Sequence, residues 1–449
     1  MTKSRFSSIS ILLAFLDIGI INLSYHLCYL IIFGPQSPFT YWNAYFKVLP
    51  FVCIGILLSF YIFDLYTVAI TRSLLKVLCS LFAAMIINTA LIMSYVYIIE
   101  NSVLPDSVAL TATVLEFFLF SISRTIIQLL FREVYKSKRL LFIEKNTSFE
   151  TRRLIKKFAN HKGFSICENA NRHELQSVLD EVDVIAINPG IEDKMKVIDL
   201  CVKKGKEVLL VPDLIEILLY SAEAQCVDDT LLLSIKPLGL DIRQRFAKRV
   251  FDIIISSLML LVASPIMITL RILIPILSPG PAIFSQERLG EKSLSFKVMK
   301  FRSMVDNAEQ KTGPVLAVEK DPRITRFGAF LRATRLDELP QLINVIKGDM
   351  SIVGPRPERQ FFVDQYRESI PYYSYRMAVK PGITGLAQVK GKYTTTPEDK
   401  LRFDIMYIRN YSLGLDFSIL FQTVRVVFQR ERAVGLNAET NTGVKNLVS

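Results

Sequence analysis

The sequence has very few of the side chains that most often carry out proton transfer and nucleophilic attack. Its three histidines, His26, His161 and His173, all precede residue 174, and none of its six cysteines follows Cys226. The cysteines form no close CxxC pair, which argues against a zinc site or a disulfide framework. Any chemistry in the second half of the chain must therefore use carboxylates, hydroxyls, cations or a metal ion.

Charge is also scarce, and positive charge is in excess. Charged residues make up 21% of the 449 residues against 51% hydrophobic ones, and the mean hydropathy is +0.34. The formal net charge of +12 indicates an anionic partner, either substrate phosphates or acidic lipid headgroups. The general excess of cytoplasmic cations in membrane proteins explains the charge equally well. We expect a membrane, and no nucleic acid, among the partners.

Four long apolar segments occupy the first 131 residues, at 9–33, 48–66, 74–98 and 107–131. Each approaches or exceeds the ~20 residues that a helix needs to cross a bilayer, and their succession argues against a cleaved signal peptide. The cations that flank them favour one side: Lys3, Arg5, Arg72, Lys76, Arg132, Lys136, Lys138 and Arg139. The positive-inside rule then predicts a four-helix transmembrane region, residues 1–138, with both ends in the cytoplasm.

Three charged residues, Asp17, Glu116 and Arg124, lie inside these apolar segments. Charges at membrane depth are rare and are candidates for function by default. The sequence offers no other polar path across the bilayer, so we favour pairing between the helices.

Residues 139–238 change to a soluble α/β pattern. "RLLFI", "VDVIAINP" and "EVLLVPDL" are typical of buried strands, and "SFETRRLIKKFANHK" and "DKMKVIDLCVKKG" of the helices between them. This alternation predicts a cytosolic Rossmann-like domain with a small parallel sheet. A dinucleotide site would need glycines after the first strand, but that loop reads "EKNTSFE". We therefore expect a structural or regulatory domain without a bound cofactor.

A fifth apolar stretch, "VFDIIISSLMLLVASPIMITLRILIPIL", covers residues 250–277. Ser264 and Pro265 lie near its centre, and a proline removes a helical hydrogen bond and kinks the helix. Two half-helices of about 13 residues reach only about 20 Å each, which suits a re-entrant segment. A straight span would export the rest of the chain, and the residues alone leave both courses open.

Two adjacent carboxylates, Asp337 and Glu338, lie in "RLDELPQLINVIKGDMSIVGPRP". Cations recur around them: Lys300, Arg302, Arg323, Arg326, Arg332, Arg335 and Arg356. Because guanidinium groups match phosphate oxygens, the pattern indicates a metal-bound phosphoanhydride with a carboxylate able to attack phosphorus. A simpler interpretation stays open, since Asp337 also has the position of a helix cap ahead of Pro340.

Residues 245–430 resemble the catalytic module of bacterial polyprenyl-phosphate hexose-1-phosphate transferases. The matching blocks are "KRVFD", the Ser264-Pro265 break, "GPAIFSQERLG", "KFRSM", "LRATRLDELPQL", "GDMSIVGPRPE", "VKPGITGLAQVKG" and "DIMYIRNYS". The whole chain is similar to the large members of that family, which start exopolysaccharide, capsule or O-antigen chains. The resemblance implies a mainly α-helical, membrane-associated catalytic domain at 239–432, with a re-entrant hairpin at 250–277. Lys390 departs from the family's usual small or polar residue, which bears on the choice of sugar.

The resemblance also implies a role for each candidate residue. Asp337 would attack the sugar-bearing phosphate of a nucleoside diphosphate sugar, releasing UMP from a UDP-sugar and leaving a covalent phosphosugar-enzyme. Asp337 and Glu338 would hold Mg²⁺, and polyprenyl (undecaprenyl) phosphate would then accept the phosphosugar. The expected substrate-binding residues are Lys300, Arg302, Arg332, Pro355, Arg356 and Arg376.

Because nucleotide sugars are cytosolic, the resemblance favours the re-entrant course. It implies a multi-pass protein of the bacterial inner membrane whose catalytic domain faces the cytoplasm. Residues 433–449 lack periodicity and are expected to be a disordered tail. The sugar, the pathway and a homodimer are left open.

Two other functions compete with this interpretation. The first is a membrane-anchored nucleotide-sugar dehydratase or epimerase, against which the glycine-free loop argues. The second is a non-catalytic scaffold of polysaccharide export, against which the intact "LDELPQ" argues.

Overall fold

A computed structural model of the chain describes residues 8–34, 39–63, 65–66, 74–99, 105–134, 138–143, 155, 158, 164–167, 178–188, 191, 193–220, 222–305, 321–391 and 395–428. The chain divides into two compact units, Met1–Val211 and Pro212–Ser449. The predicted tail at 433–449 lies outside the described residues.

Four long helices open the first unit, where the apolar segments predicted them. They are α1, Ser8–Phe33; α2, Phe39–Ile62; α3, Leu74–Ile99; and α4, Asp106–Val134. Three contain stretches long and apolar enough to cross a membrane: Ser10–Phe33, Val77–Tyr95 and Ser107–Leu130. In α2 the apolar helix covers Tyr45–Tyr61, which is shorter.

Asp17 of α1 and Glu116 and Arg124 of α4, the charged residues inside the apolar segments, lie buried. Arg124 donates a hydrogen bond to Asp17 at 2.6 Å, and its guanidinium lies over the ring of Phe60 at 5.5 Å. Glu116 accepts a hydrogen bond from the hydroxyl of Ser24 at 3.3 Å. The predicted pairing between helices is confirmed for Asp17 and Arg124, while Glu116 has a hydroxyl partner.

A four-stranded parallel sheet follows in the order β2-β1-β3-β4. The strands are β1, Lys138–Ile143; β2, Phe164–Ile166; β3, Val184–Ile187; and β4, Glu207–Leu210. Helix α5, Lys194–Lys203, precedes β4 and is followed by Gly205 at a positive φ of 64°. Both faces of the central strands are buried, as in parallel sheets generally. The "EKNTSFE" loop lies outside the described residues, as does most of the helix predicted after it, and the Rossmann-like assignment stays a prediction.

Residues 212–238 were assigned by sequence to the Rossmann-like domain, but in the structure they belong to the second unit. They form α6, Leu214–Tyr220, and an antiparallel hairpin of β5, Glu223–Val227, and β6, Thr230–Ser234. Ile217 is buried in the core of this unit. Arg409 donates hydrogen bonds to the carbonyls of Leu218 and Lys236, at 2.9 and 2.7 Å. The division therefore falls at 211/212 rather than 238/239, because the buried contacts of the segment are with the C-terminal unit.

Helix α7, Ile242–Leu277, contains the fifth apolar stretch and is also long and apolar enough to cross a membrane. It continues through Ser264 and Pro265. A proline at 265 cannot donate to the carbonyl of Leu261, and the Ser264 hydroxyl donates to that carbonyl at 2.8 Å instead. The predicted separation into two half-helices is not confirmed, and the re-entrant course stays a prediction.

The first turns of α7 are anchored to the rest of the unit by charged side chains. Asp252 accepts hydrogen bonds from the hydroxyl of Ser351 and the N–H of Ile352, at 2.9 and 3.1 Å. Lys248 forms a buried ion pair with Asp416 at 2.7 Å. These contacts tie the helix to the interior of the module that follows it.

That module is mainly helical, as predicted. An antiparallel hairpin of β7, Ile283–Leu289, and β8, Ser295–Phe301, comes first. Strand β9, Ser351–Val353, pairs in parallel with β10, Gly382–Thr384. The helices are α8, Arg326–Thr334; α9, Gln341–Lys347; α10, Gln360–Ser369; α11, Leu386–Lys390; α12, Pro397–Arg409; and α13, Leu413–Phe428.

Candidate active site

The acidic pair lies in a tight connection between two helices. Helix α8 ends at Thr334, Arg335 takes a left-handed conformation with φ of 60°, and a single 3-10 turn covers Leu336–Glu338. The turn buries both Asp337 and Glu338. One oxygen of Asp337, Oδ1, is buried without a hydrogen-bond partner among the described residues. Helix capping by Asp337 therefore receives no support from the structure, since a cap would accept a backbone N–H.

Three cations surround Glu338. Its Oε1 accepts hydrogen bonds from Lys300 at 3.1 Å and from Arg356 at 2.8 Å, and Arg335 lies 3.8 Å from Oε2. Burial alone would raise the pKa of Glu338, but the charges of Arg356, Lys300 and Arg335 outweigh it and hold the pKa well below its ordinary value. Glu338 is a fixed anion at any physiological pH.

Asp337 has the opposite electrostatic environment. Burial and the neighbouring charge of Glu338 raise the pKa of Asp337 to about 6, although Lys300, Arg332 and Arg335 act to lower it. At neutral pH most of this carboxylate is ionised. Among the described residues no cation lies in ion-pair contact with this buried carboxylate.

The position of Lys300 depends on Asn344 of α9. The Asn344 side chain accepts from the N–H of Met299 at 3.1 Å and donates to the carbonyl of Lys297 at 2.8 Å. These two bonds fix strand β8 against the helix that follows the acidic pair. Lys300, the next residue of that strand, is thereby held beside Glu338.

Arg356 projects from a rigid backbone ledge. Gly354 donates to the carbonyl of Thr384 at 2.8 Å, and the carbonyl of Pro355 accepts from Gly382 at 2.9 Å. A Cβ on Gly354 would lie 2.5 Å from the carbonyl oxygen of Lys380, so only glycine permits this approach. Pro355 contributes its fixed φ and its carbonyl, and its side chain is buried.

Arg376 supports this ledge from behind. Its guanidinium donates to the carbonyl of Arg356 at 3.0 Å and to the hydroxyl of Tyr373 at 2.6 Å, and it pairs with Asp404 at 2.8 Å. It is buried and belongs to an internal network. The structure therefore places Arg376 as a residue that positions Arg356, away from the acidic pair.

Arg302, also predicted to bind substrate, is committed to the end of α7. It donates to the carbonyl of Pro279 at 2.7 Å and to the carbonyl of Ser278. Those carbonyls follow the last turn of the helix, so Arg302 fixes the exit of the chain from α7. Of the six predicted binding residues, Lys300 and Arg356 contact Glu338, and Arg332 is near enough for its charge to lower the pKa of Asp337.

Arg335 was not among the predicted site residues. Its side chain is 43% exposed and reaches Glu338 only because the backbone turns left-handed at this position. A positive φ at a non-glycine residue two positions before the acidic pair is uncommon, and residue type alone does not predict it.

The charge balance bears on whether a divalent cation fits. Two carboxylates face four cations, Lys300, Arg332, Arg335 and Arg356. Among the described residues no group of three or more acidic, histidine or cysteine side chains is assembled for a metal. Mg²⁺ commonly binds through one or two carboxylates plus substrate phosphates. The unpartnered Asp337 oxygen and the adjacent Glu338 fit that pattern, with the remaining ligands coming from an anionic substrate or water.

Comparison with known proteins gives the family of this module. Residues 243–430 match the family model described as bacterial sugar transferase. The UDP-N-acetylgalactosamine-undecaprenyl-phosphate N-acetylgalactosaminephosphotransferase of Aeromonas hydrophila is 46% identical over 185 residues, 40% of this chain and 44% of that protein. The undecaprenyl-phosphate galactose phosphotransferase of Salmonella typhimurium is 38% identical over 244 residues, 51% of this chain and 50% of that protein.

A shorter relative is covered almost completely. The exopolysaccharide production protein PSS of Rhizobium leguminosarum bv. phaseoli is 43% identical over 185 residues, 39% of this chain and 92% of that protein. The two longer relatives are matched over half of their length or less.

The internal role of Arg302 predicts a loss of stability on substitution. Arg302→Met leaves two carbonyls without their charged donor and should lower the free energy of unfolding by about 2 kcal/mol. Arg332→Met is the matched control, because the Arg332 side chain donates no hydrogen bond among the described residues and its loss should change stability by only about 0.5 kcal/mol. Unfolding of the detergent-solubilised protein measures both. Equal midpoints for Arg302→Met and the unchanged protein would contradict the anchoring role.

Proposed function

Because the chain belongs to the bacterial sugar transferase family, we propose that it transfers a hexose 1-phosphate from a UDP-sugar to undecaprenyl phosphate. The relatives named above as phosphotransferases carry undecaprenyl phosphate in their names, and one also carries a UDP-sugar. The observation that carries the proposal is the buried Asp337, whose Oδ1 has no hydrogen-bond partner in the described part of the chain, beside Glu338, which is neutralised by Lys300 and Arg356. An ionised carboxylate among phosphate-binding cations suits attack on a phosphoanhydride.

The first step is an exchange at the sugar-bearing phosphorus. An oxygen of Asp337 forms a bond to this phosphorus, the bond to the bridging oxygen breaks, and its electron pair leaves with UMP. No proton is transferred, because Asp337 attacks as a carboxylate. Its pKa of about 6 means that the fraction able to attack decreases as the pH falls through that value.

In the second step an oxygen of undecaprenyl phosphate attacks the same phosphorus and expels the Asp337 carboxylate. The product is a lipid diphosphate-sugar. Its formation is the first membrane step in the synthesis of exopolysaccharide, capsule or O-antigen. Arg356 and Lys300 supply positive charge beside the reacting phosphorus in both steps, in a site preorganised by Glu338. Mg²⁺, held by Asp337 and Glu338 together with donor phosphates, would neutralise diphosphate charge.

The nucleophile is tested by Asp337→Asn, which keeps the size of the side chain and removes its charge. We expect UMP release and lipid product to fall to background while the unfolding midpoint stays close to that of the unchanged protein. Asp364→Asn is a matched control, since Asp364 is exposed on α10. Substantial UMP release by Asp337→Asn would remove Asp337 from the role of nucleophile.

The metal is tested by the affinity for UDP, measured by calorimetry with Mg²⁺ and with excess EDTA. Because four cations already face two carboxylates, Mg²⁺ should bind appreciably only together with the diphosphate. We expect chelation to weaken UDP binding about tenfold or more and to stop turnover. Full turnover in EDTA, or tight Mg²⁺ binding to the nucleotide-free protein, would contradict this arrangement.

We further propose that α7 is re-entrant and that the catalytic module faces the cytoplasm. Arg245, in the first turn of α7, lies 3.4 Å from Glu291, which follows the helix. Near the other end, Leu270 packs in one cluster with Phe301 and Leu331. A straight helix of 36 residues would be about 54 Å long, well beyond the ~30 Å hydrocarbon core. Contacts of one module with both ends of α7 support a segment that enters and leaves on one side.

Cysteine labelling distinguishes the two courses of α7. In a background without the six native cysteines, Thr230→Cys lies before the helix and Ser295→Cys after it, and both positions are exposed. A membrane-impermeant maleimide should label both positions in inverted vesicles, in which the cytoplasmic face points outward. It should label neither position when it is applied to the opposite face. Labelling of the two positions from opposite faces would establish a fifth span.

A further inference from the structure

A second cationic position lies behind Arg356, on helix α12. Lys400 is in the first turn of this helix, one turn before Asp404, so that the two side chains share one face. Asp404 pairs with Arg376, and Arg376 donates to the carbonyl of Arg356. The network that supports the Arg356 ledge therefore also brings Lys400 to it.

The ammonium of Lys400 has no anion of its own. Among the described residues it forms no ion pair and donates no side-chain hydrogen bond, although Glu358 and Asp404 attract it and Arg356 and Arg376 repel it. Asp404 is already paired with Arg376, and Glu358 lies 3.7 Å from Arg288. Lys400 is partly buried, and burial lowers its pKa. A half-buried cation left unpaired beside another cation has an electrostatic cost that a bound anion removes.

Arg356 links this position to the acidic pair. Its guanidinium donates to Glu338 and its side chain is 37% exposed, so part of it stays open to a ligand. Its charge interacts with those of Glu338 and Asp337 and also with that of Lys400. Arg356 therefore contacts the acidic pair through its guanidinium, and the Arg376–Asp404 pair joins its backbone to the face of α12 that carries Lys400.

We propose that Lys400 and Arg356 form the subsite for the phosphate that leaves with the nucleoside, so that the donor diphosphate runs from Asp337 across Arg356 to Lys400. This rests on the function proposed above and adds the direction in which the donor lies. When the bridging bond breaks, the electron pair develops on an oxygen of this second phosphate. Lys400 donates to that phosphate and stabilises the departing UMP.

The test is Lys400→Met, which keeps most of the apolar stem and removes the charge. We expect the KM for the UDP-sugar to rise and both the affinity for UMP and its product inhibition to weaken by about tenfold or more, the loss expected for one charge-assisted hydrogen bond. The KM for undecaprenyl phosphate should not change. Lys400→Arg should retain UMP affinity, and Lys347→Met, at an exposed lysine in the last turn of α9, is the matched control.

Calorimetric titration with UMP separates this inference from the proposed function. Wild-type protein that neither binds UMP nor releases it from any UDP-sugar would refute the proposed function itself. Wild-type protein that binds and releases UMP, together with a folded Lys400→Met of unchanged UMP affinity, would refute the subsite alone. A rise in the KM for undecaprenyl phosphate without loss of UMP affinity would also overturn it. Should Lys400→Met fail to fold, Lys400→Gln is judged by the same measurements.

Discussion

The contacts of Glu338 are the interaction on which the rest of the site depends. Three segments far apart in the chain meet at this carboxylate: β8 through Lys300, the turn after α8 through Arg335, and the ledge after β9 through Arg356. Lys300 and Arg356, which both contact Oε1, would repel each other without this carboxylate between them. Glu338 thus holds the cations in place and is itself unavailable for attack. Oδ1 of the neighbouring Asp337, in contrast, has no hydrogen-bond partner among the described residues. The two adjacent carboxylates therefore have different surroundings, and we assign them different roles.

Buried charged side chains support this site from the interior of the module. Arg376 and Asp404 compensate each other inside the module and hold the backbone of Arg356. Arg302 donates hydrogen bonds to the carbonyls after α7 and thereby fixes the end of the apolar helix. Both arginines have the character of phosphate ligands in sequence, but each donates to backbone carbonyls inside the module. Internal charge pairs of this kind add precision of position more than net stability.

The apolar helix α7 joins this chemistry to the membrane. Lys248 and Asp252 at one end and Leu270 at the other all pack against the module that contains the acidic pair. The Ser264 hydroxyl satisfies the carbonyl that Pro265 leaves without a donor. A helix can therefore pass a proline at membrane depth without exposing a bare backbone carbonyl to lipid.

The sequence alone determined the four N-terminal helices, three of the four parallel strands and the acidic pair, because apolar length, strand alternation and adjacent motif residues are local properties. It also identified Lys300, Arg332 and Arg356 among the cations near Asp337 and Glu338. It did not distinguish them from Arg302 and Arg376, and it assigned residues 212–238 to the preceding domain, whereas their buried contacts lie in the second unit. Those assignments depend on which carbonyl or carboxylate each guanidinium reaches, and on which core Ile217 enters. Only the tertiary structure decides this, because every arginine carries the same charge and its partner is chosen by packing between residues distant in the chain.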